Sequence, residues 1–200
     1  MSEAAHKDYT GAKFGMWLFL FTEVLLFGGL FILYAVYLQR YPDEFIAAGK
    51  ELDVRFGGGN TLVLLTSSLF VAMSITSLRR GRKSAALGLL GASVASAALF
   101  MINKYFEWSA KIQHGIYPGG DEMKAREAGE QVFFNLYYLT TGLHGLHVVI
   151  GAVLLAWIGV FIKTGRVHRN DWVMLENGGL YWHLVDLIWI FIFPLYYLII

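Results

Sequence analysis

Apolar residues in this chain arrive in five blocks, each about the length of a helix that crosses a bilayer, with short charged stretches between them. Crossing the ~30 Å hydrocarbon layer takes about 20 mostly apolar residues, and every backbone amide in lipid must be satisfied within the segment, so each block is predicted to be a helix. The blocks run approximately from Phe14 to Leu38, Thr61 to Leu78, Ala85 to Phe106, Leu139 to Ile162 and Leu180 to Ile200. Composition agrees, since 56% of the 200 residues are hydrophobic and 16% are charged, against roughly 25% charged in soluble domains. The expected fold is an all-α integral membrane protein, a bundle of five transmembrane helices. Residues 1–13 form its N-terminal tail and residues 14–200 a single domain.

Met1 to Lys13 shows no apolar run followed by a small-residue cleavage site, so the first span is expected to be retained. Cysteine is absent, which excludes disulfides, thiolate metal sites and haem attachment through C-x-x-C-H. Basic residues set orientation. Nine lie on one side of the spans, namely Lys7, Lys13, Arg79, Arg80, Arg82, Lys83, Lys163, Arg166 and Arg169, and six lie in the opposite loops. The N-terminus is therefore expected in the cytoplasm and the C-terminus outside. With a net charge of +1 the chain has no electrostatic footprint for nucleic acid, and the basic clusters read as topology signals.

The Gly57-Gly58-Gly59-Asn60 run is expected to end an outer loop, with Asn60 and Thr61 capping the second span. Gly88, Gly91, Ala92, Ala95 and Ser96 make a face without bulk on the third span, expected to pack against another helix. Trp and Tyr residues at the span ends, among them Tyr37, Tyr105, Trp108, Tyr137, Tyr138, Tyr181, Trp182, Tyr196 and Tyr197, suit an interfacial belt. Pro194 removes a hydrogen bond near the end of the fifth span.

Ionisable groups in hydrocarbon cost about 3 kcal/mol or more each, so each should face protein and find a partner. Six stand out: Glu23 on the first span, Glu107 at the outer end of the third, His144 and His147 on the fourth, and His183 and Asp186 on the fifth. Glu23 lies about 14 Å into its block among apolar neighbours. It reads equally as a proton-relay or coupling acid and as an acid bonded to a neighbouring helix. The two i, i+3 pairs could suggest a His-rich metal centre. From the block boundaries, however, His144 and His147 fall in the outer leaflet and His183 and Asp186 within roughly 5 to 9 Å of the cytoplasmic side. That separation is too large for one metal, or for a haem between opposed histidines.

The segments F-G-M-W-L-F-L-F-T-E-V-L-L-F (Phe14 to Phe27), N-T-L-V-L-L-T-S-S (Asn60 to Ser68), K-Y-F-E-W (Lys104 to Trp108), T-G-L-H-G-L-H-V-V-I-G (Thr141 to Gly151) and Y-W-H-L-V-D-L-I-W-I-F (Tyr181 to Phe191) together resemble, in order, the last five helices of subunit III of the haem-copper respiratory oxidases. The chain lacks that family's first two helices, like the short subunit III of some bacterial cytochrome c and quinol oxidases and like homologues associated with nitric oxide reductase. Their absence puts the family's V-shaped lipid cleft in question. The resemblance implies a non-redox subunit of a proton-pumping terminal oxidase, multi-pass in a bacterial inner membrane. Haem and copper would sit in partner subunits, with subunit I in direct contact, subunit II in the same complex, and phospholipid bound. No residue would then be catalytic, and Glu23, Glu107, His144, His147, His183 and Asp186 would be structural or proton-coupling positions. A quinol oxidase subunit is the alternative within the family. From another class, a small proton-coupled transporter centred on Glu23 is the alternative, although inverted repeats and broken helices are missing from the sequence.

Overall fold

Each apolar block forms one long helix, and each helix starts before its block does. A computed structural model describes residues 8–199, so residues 1–7 of the expected tail lie outside the described residues, as does Ile200. The elements are α1 (Tyr9–Arg40), α2 (Pro42–Gly49), α3 (Val54–Arg79), α4 (Lys83–Gln113), α5 (Asp121–Ala125), α6 (Ala128–Thr164) and α7 (Val173–Tyr197). Of these, α1, α3, α4, α6 and α7 are long and apolar enough to cross a membrane.

The helices overrun their blocks because hydropathy marks where a helix meets lipid, whereas caps decide where it begins. Asp8 accepts from the Gly11 amide at 2.8 Å, so α1 takes in part of the expected tail. Asp53 accepts from the Arg55 amide at 2.8 Å, which starts α3 one turn before the glycine run. The expected capping by Asn60 and Thr61 is thus corrected: Gly57 to Asn60 are helical. Gly57 lets α3 close on α7, because a Cβ there would come within 2.7 Å of the Phe193 ring. Asn60 is fully buried and accepts from the Asn103 amide at 2.9 Å across the α3–α4 contact.

α3 and α4 form an antiparallel hairpin closed at Gly81, whose φ of 77° needs a residue without Cβ. Two serines staple it. The Ser93 hydroxyl donates to the Ser67 carbonyl at 3.1 Å, and the Ser74 hydroxyl to the Ala86 carbonyl at 3.0 Å. The hairpin packs against a second antiparallel pair, α4 on α6 and α3 on α7, so four helices close a ring. Trp182, Trp189, Phe100 and Tyr137 fill its interior. Gly151 on α6 admits Trp182, since a Cβ there would meet the indole at 2.8 Å.

α1 lies outside this ring, on α6 and α7. It runs parallel to α7 and in step with it. Lys13 pairs with Glu176 at 2.6 Å at one end, and at the other the Tyr34 hydroxyl donates to the Leu195 carbonyl, which lies in the last turn of α7 beyond reach of any following helical amide. Across the opposite face, Arg126 grips Glu51 at 2.6 and 3.0 Å and Glu130 at 3.2 Å, tying the α2–α3 connection to the start of α6. The Glu51 hydrogen bonds push the Arg126 pKa above its already high ordinary value.

Two expectations about faces are corrected. Gly88 and Gly91 have nothing within 4 Å of a built Cβ, and Ala95 is exposed, so the small face of α4 points away from its neighbours. The packed face carries Ala86, Leu90, Ser93, Ala97 and Phe100 instead. Of the expected aromatic belt, Tyr137, Tyr181, Trp182, Tyr196 and Tyr197 are buried inside the bundle, whereas Tyr105 is 69% exposed. Their hydroxyls and indole find partners across helix contacts, which hydropathy cannot register.

Candidate functional site

α6 carries most of the polar groups, and one of its faces is nearly continuous in them: Tyr137, Thr140, Thr141, His144 and His147 are all buried. The i, i+3, i+4 spacing places them on one side of the helix, turned toward α1, α4 and α7.

At the middle of the bundle, Glu23 Oε2 lies 2.8 Å from His147 Nε2, joining α1 to α6. The other ring nitrogen, Nδ1, lies 2.8 Å from the Leu143 carbonyl. A carbonyl only accepts, so Nδ1 carries a hydrogen, and one further proton then lies between Nε2 and the carboxyl. Whether it resides on nitrogen or oxygen, the pair is neutral as a whole, which is what an apolar surrounding requires. The Phe27 ring sets its edge against the imidazole at 5.3 Å, and the Tyr181 hydroxyl donates to the His147 carbonyl at 3.2 Å.

That last contact corrects the depth assignment. α7 begins at Val173, so His183 lies about 15 Å along it. Tyr181 and Asp186 thereby come level with His147 rather than a leaflet away. What separates the two pairs is direction, not depth. His183 Nδ1 faces the Ser68 hydroxyl on α3, and Asp186 is 5% exposed with Ser68 beside its carboxyl. His144 is fully buried, its ring 5.1 Å from Trp189 and 5.6 Å from Phe100, with no hydrogen-bond partner on either nitrogen. Among the described residues no three His, Asp or Glu side chains converge as metal ligands would.

Toward the end of α7, Glu107 anchors a cluster whose other members the sequence reading did not single out as site residues. Lys104 Nζ donates to Glu107 Oε2 at 2.9 Å, to the Tyr197 hydroxyl at 2.9 Å and to the Tyr137 hydroxyl at 3.1 Å. Both tyrosines donate in turn to Glu107 Oε1, at 2.6 and 2.7 Å. The ammonium has three donors and uses all three. One positive and one negative charge, buried together and fully hydrogen-bonded, lock α4 to α6 and α7. The signal available in the sequence was the i, i+3 spacing of Lys104 and Glu107 at the edge of an apolar block. Lys104 itself falls inside the apolar block, where hydropathy alone does not mark it.

This arrangement holds helices together and shares one proton between Glu23 and His147. Comparison with known proteins supplies the context. The sequence model of the family described as cytochrome c oxidase subunit III matches residues 3–199. A haem-copper oxidase subunit I+III of Aeropyrum pernix is 30% identical over 92% of this chain, which spans 22% of that fused relative. Cytochrome c oxidase subunit 3 of Thermostichus vulcanus is 28% identical, covering 98% of this chain and 90% of its own length. Cytochrome bo(3) ubiquinol oxidase subunit 3 of Pseudomonas aeruginosa is 27% identical, covering 97% and 88%. With a family match along almost its whole length and five helices suited to a membrane, the chain belongs to the subunit III family of the haem-copper oxidases.

Proposed function

We propose that this chain is the non-redox subunit III of a proton-pumping terminal oxidase in a bacterial inner membrane, the whole complex reducing oxygen to water with cytochrome c as donor. The chain packs against subunit I, shares the complex with subunit II, holds phospholipid, and supports oxygen access and proton uptake. Haem and copper belong to the partner subunits. The observation that carries the reading is the relative named as subunit I+III, since joining the two parts in one polypeptide keeps them in one complex and supports contact between them. The chemistry of the interior is consistent with helix packing: among the described residues His147 faces a carboxylate, His183 a hydroxyl and His144 two aromatic rings. Under this reading Glu23, Glu107, His144, His147, His183 and Asp186 are structural or proton-coupling positions. Quinol as donor is a second reading, favoured by the ubiquinol oxidase relative at 27% identity.

The test is purification of the tagged full chain from its native membrane in mild detergent. A co-purifying subunit with haem and copper is expected, and a copper-binding Cys/His cluster in subunit II marks cytochrome c as donor. Stoichiometric metal or haem retained by this chain after the partners are stripped, and lost on His144→Ala or His147→Ala, would overturn the non-redox assignment.

A further inference from the structure

His183, Leu187 and Ile190 follow one another at i, i+4 and i+7, so they form one strip along α7. Leu187 and Ile190 are exposed on it, and His183 is half-buried. The strip therefore faces outward from the bundle, and at the depth of His183 it carries an imidazole where an apolar side chain would suit lipid better. The inner ring nitrogen, Nδ1, meets the Ser68 hydroxyl on α3. Among the described residues the outer one, Nε2, has no hydrogen-bond partner.

Ser68 touches a second group of α7. The Asp186 carboxyl lies against the same hydroxyl, is 5% exposed, and has no partner on Oδ1. One hydroxyl thus stands between a buried acid and an imidazole that reaches the outside of the bundle. No other ionisable group competes for them. Between Arg55 and Arg79, α3 has no ionisable side chain. On the helices packed against α7 from the other sides, Glu23 of α1 is paired with His147 of α6, and His144 of α6 is enclosed by Trp189 and Phe100.

A hydroxyl has one hydrogen to donate and a neutral imidazole has one N–H, which leaves two consistent arrangements. In the first, the protonated Asp186 carboxyl donates to Ser68 Oγ, the Ser68 hydroxyl donates to His183 Nδ1, and Nε2 carries the hydrogen. In the second, the Asp186 carboxylate accepts from the Ser68 hydroxyl, Ser68 Oγ accepts from Nδ1–H, and Nε2 is a bare lone pair. An imidazolium facing the carboxylate through Ser68 would turn a charged N–H outward without a counter-group, which an apolar surrounding disfavours.

We propose that Asp186, Ser68 and His183 form a proton relay that connects a buried carboxyl to the outward strip of α7, with Ser68 as the bridging hydroxyl. In passing from the first arrangement to the second, Nε2 gives its proton to a water molecule on the strip. The Ser68 hydrogen moves to Nδ1, the Asp186 proton moves to Ser68 Oγ, and the carboxylate keeps the negative charge. One proton leaves and the imidazole is never charged. The relay deepens the reading of His183 and Asp186 as proton-coupling positions and rests on it.

The experiment is solid-state nuclear magnetic resonance of the full chain in lipid bilayers with isotope-labelled histidine, in which protonated and bare ring nitrogens give separate signals. Loss of signal in His183→Gln assigns that residue. As pH rises from about 5 to about 9, the hydrogen of His183 should move from Nε2 to Nδ1. Asp186→Asn should hold a single neutral tautomer throughout, Ser68→Ala should abolish the exchange, and Ser68→Thr, which keeps the hydroxyl, should restore it. An imidazolium in the unsubstituted chain, a tautomer that never changes, or an exchange that survives Ser68→Ala or Asp186→Asn would overturn the relay. Co-purification of the Ser68→Ala chain with subunit I is measured separately, so a failed relay and a failed assignment to the oxidase give different results.

Discussion

Glu23 and His147 meet where neither could hold a charge alone, and the Leu143 carbonyl on the far side of the imidazole leaves one proton between them. Such a pair can be a simple helix contact or a place where a proton waits. Substitution separates the two. Glu23→Gln keeps the size and can donate an amide hydrogen to Nε2, while removing the shared proton. Glu23→Ala leaves a buried ring nitrogen unpaired, at about 1 to 3 kcal/mol. If the contact is purely structural, the Gln variant should keep assembly, turnover and working lifetime, and only the Ala variant should weaken the complex. We expect instead that Gln lowers proton uptake or shortens the active lifetime of the assembled oxidase without altering its haem spectrum. A changed haem spectrum or a lost first turnover would couple Glu23 to the redox centre and contradict the supporting role.

At the level of elements, three helices meet in the Lys104, Glu107, Tyr137 and Tyr197 network, and its members depend on each other because every donor of Lys104 is used. Removing one charge strands the other. Lys104→Met should cost about 3 to 5 kcal/mol of stability, and the double change Lys104→Met with Glu107→Leu should recover much of it, since a neutral apolar pair needs no compensation. Thermal unfolding of the four members of this cycle in one detergent measures the coupling. Additive losses would show that the two side chains do not act as a pair. The sequence announces one member of this network. Glu107 stood out as an acid next to an apolar block, whereas Tyr137 and Tyr197 looked like lipid-interface aromatics until the packing of α4, α6 and α7 turned them inward.

For the whole molecule, the ring of α3, α4, α6 and α7 with α1 laid beside it places residues 12–13, the Gly81 turn and the α6–α7 turn at one end, and α2, α5 and the Arg126 clamp at the other. Nine basic residues against six in the loops predict the first of these ends to face the cytoplasm. A reporter fused after Ile200 should be active outside the cytoplasm, and one inserted at Gly81 should be active inside. The reverse pattern would invert the orientation.

Five spans and their order follow from the sequence alone, because burial of backbone amides in lipid leaves a helix as the only local choice wherever some twenty apolar residues run together. The need for partners at Glu23, His147 and Asp186 was legible for the same reason: an ionisable group in hydrocarbon is expensive whatever surrounds it. The identity of those partners was not. Hydropathy has no term for direction around a helix axis, so it could not tell that the small face of α4 points outward or that Tyr196 and Tyr197 point inward. Nor could it set the register of α7, whose helix begins at Val173 and so brings Tyr181 and Asp186 level with His147. Side-chain packing between helices decided both, since only contact with a particular neighbour distinguishes one face or one depth of an apolar helix from another.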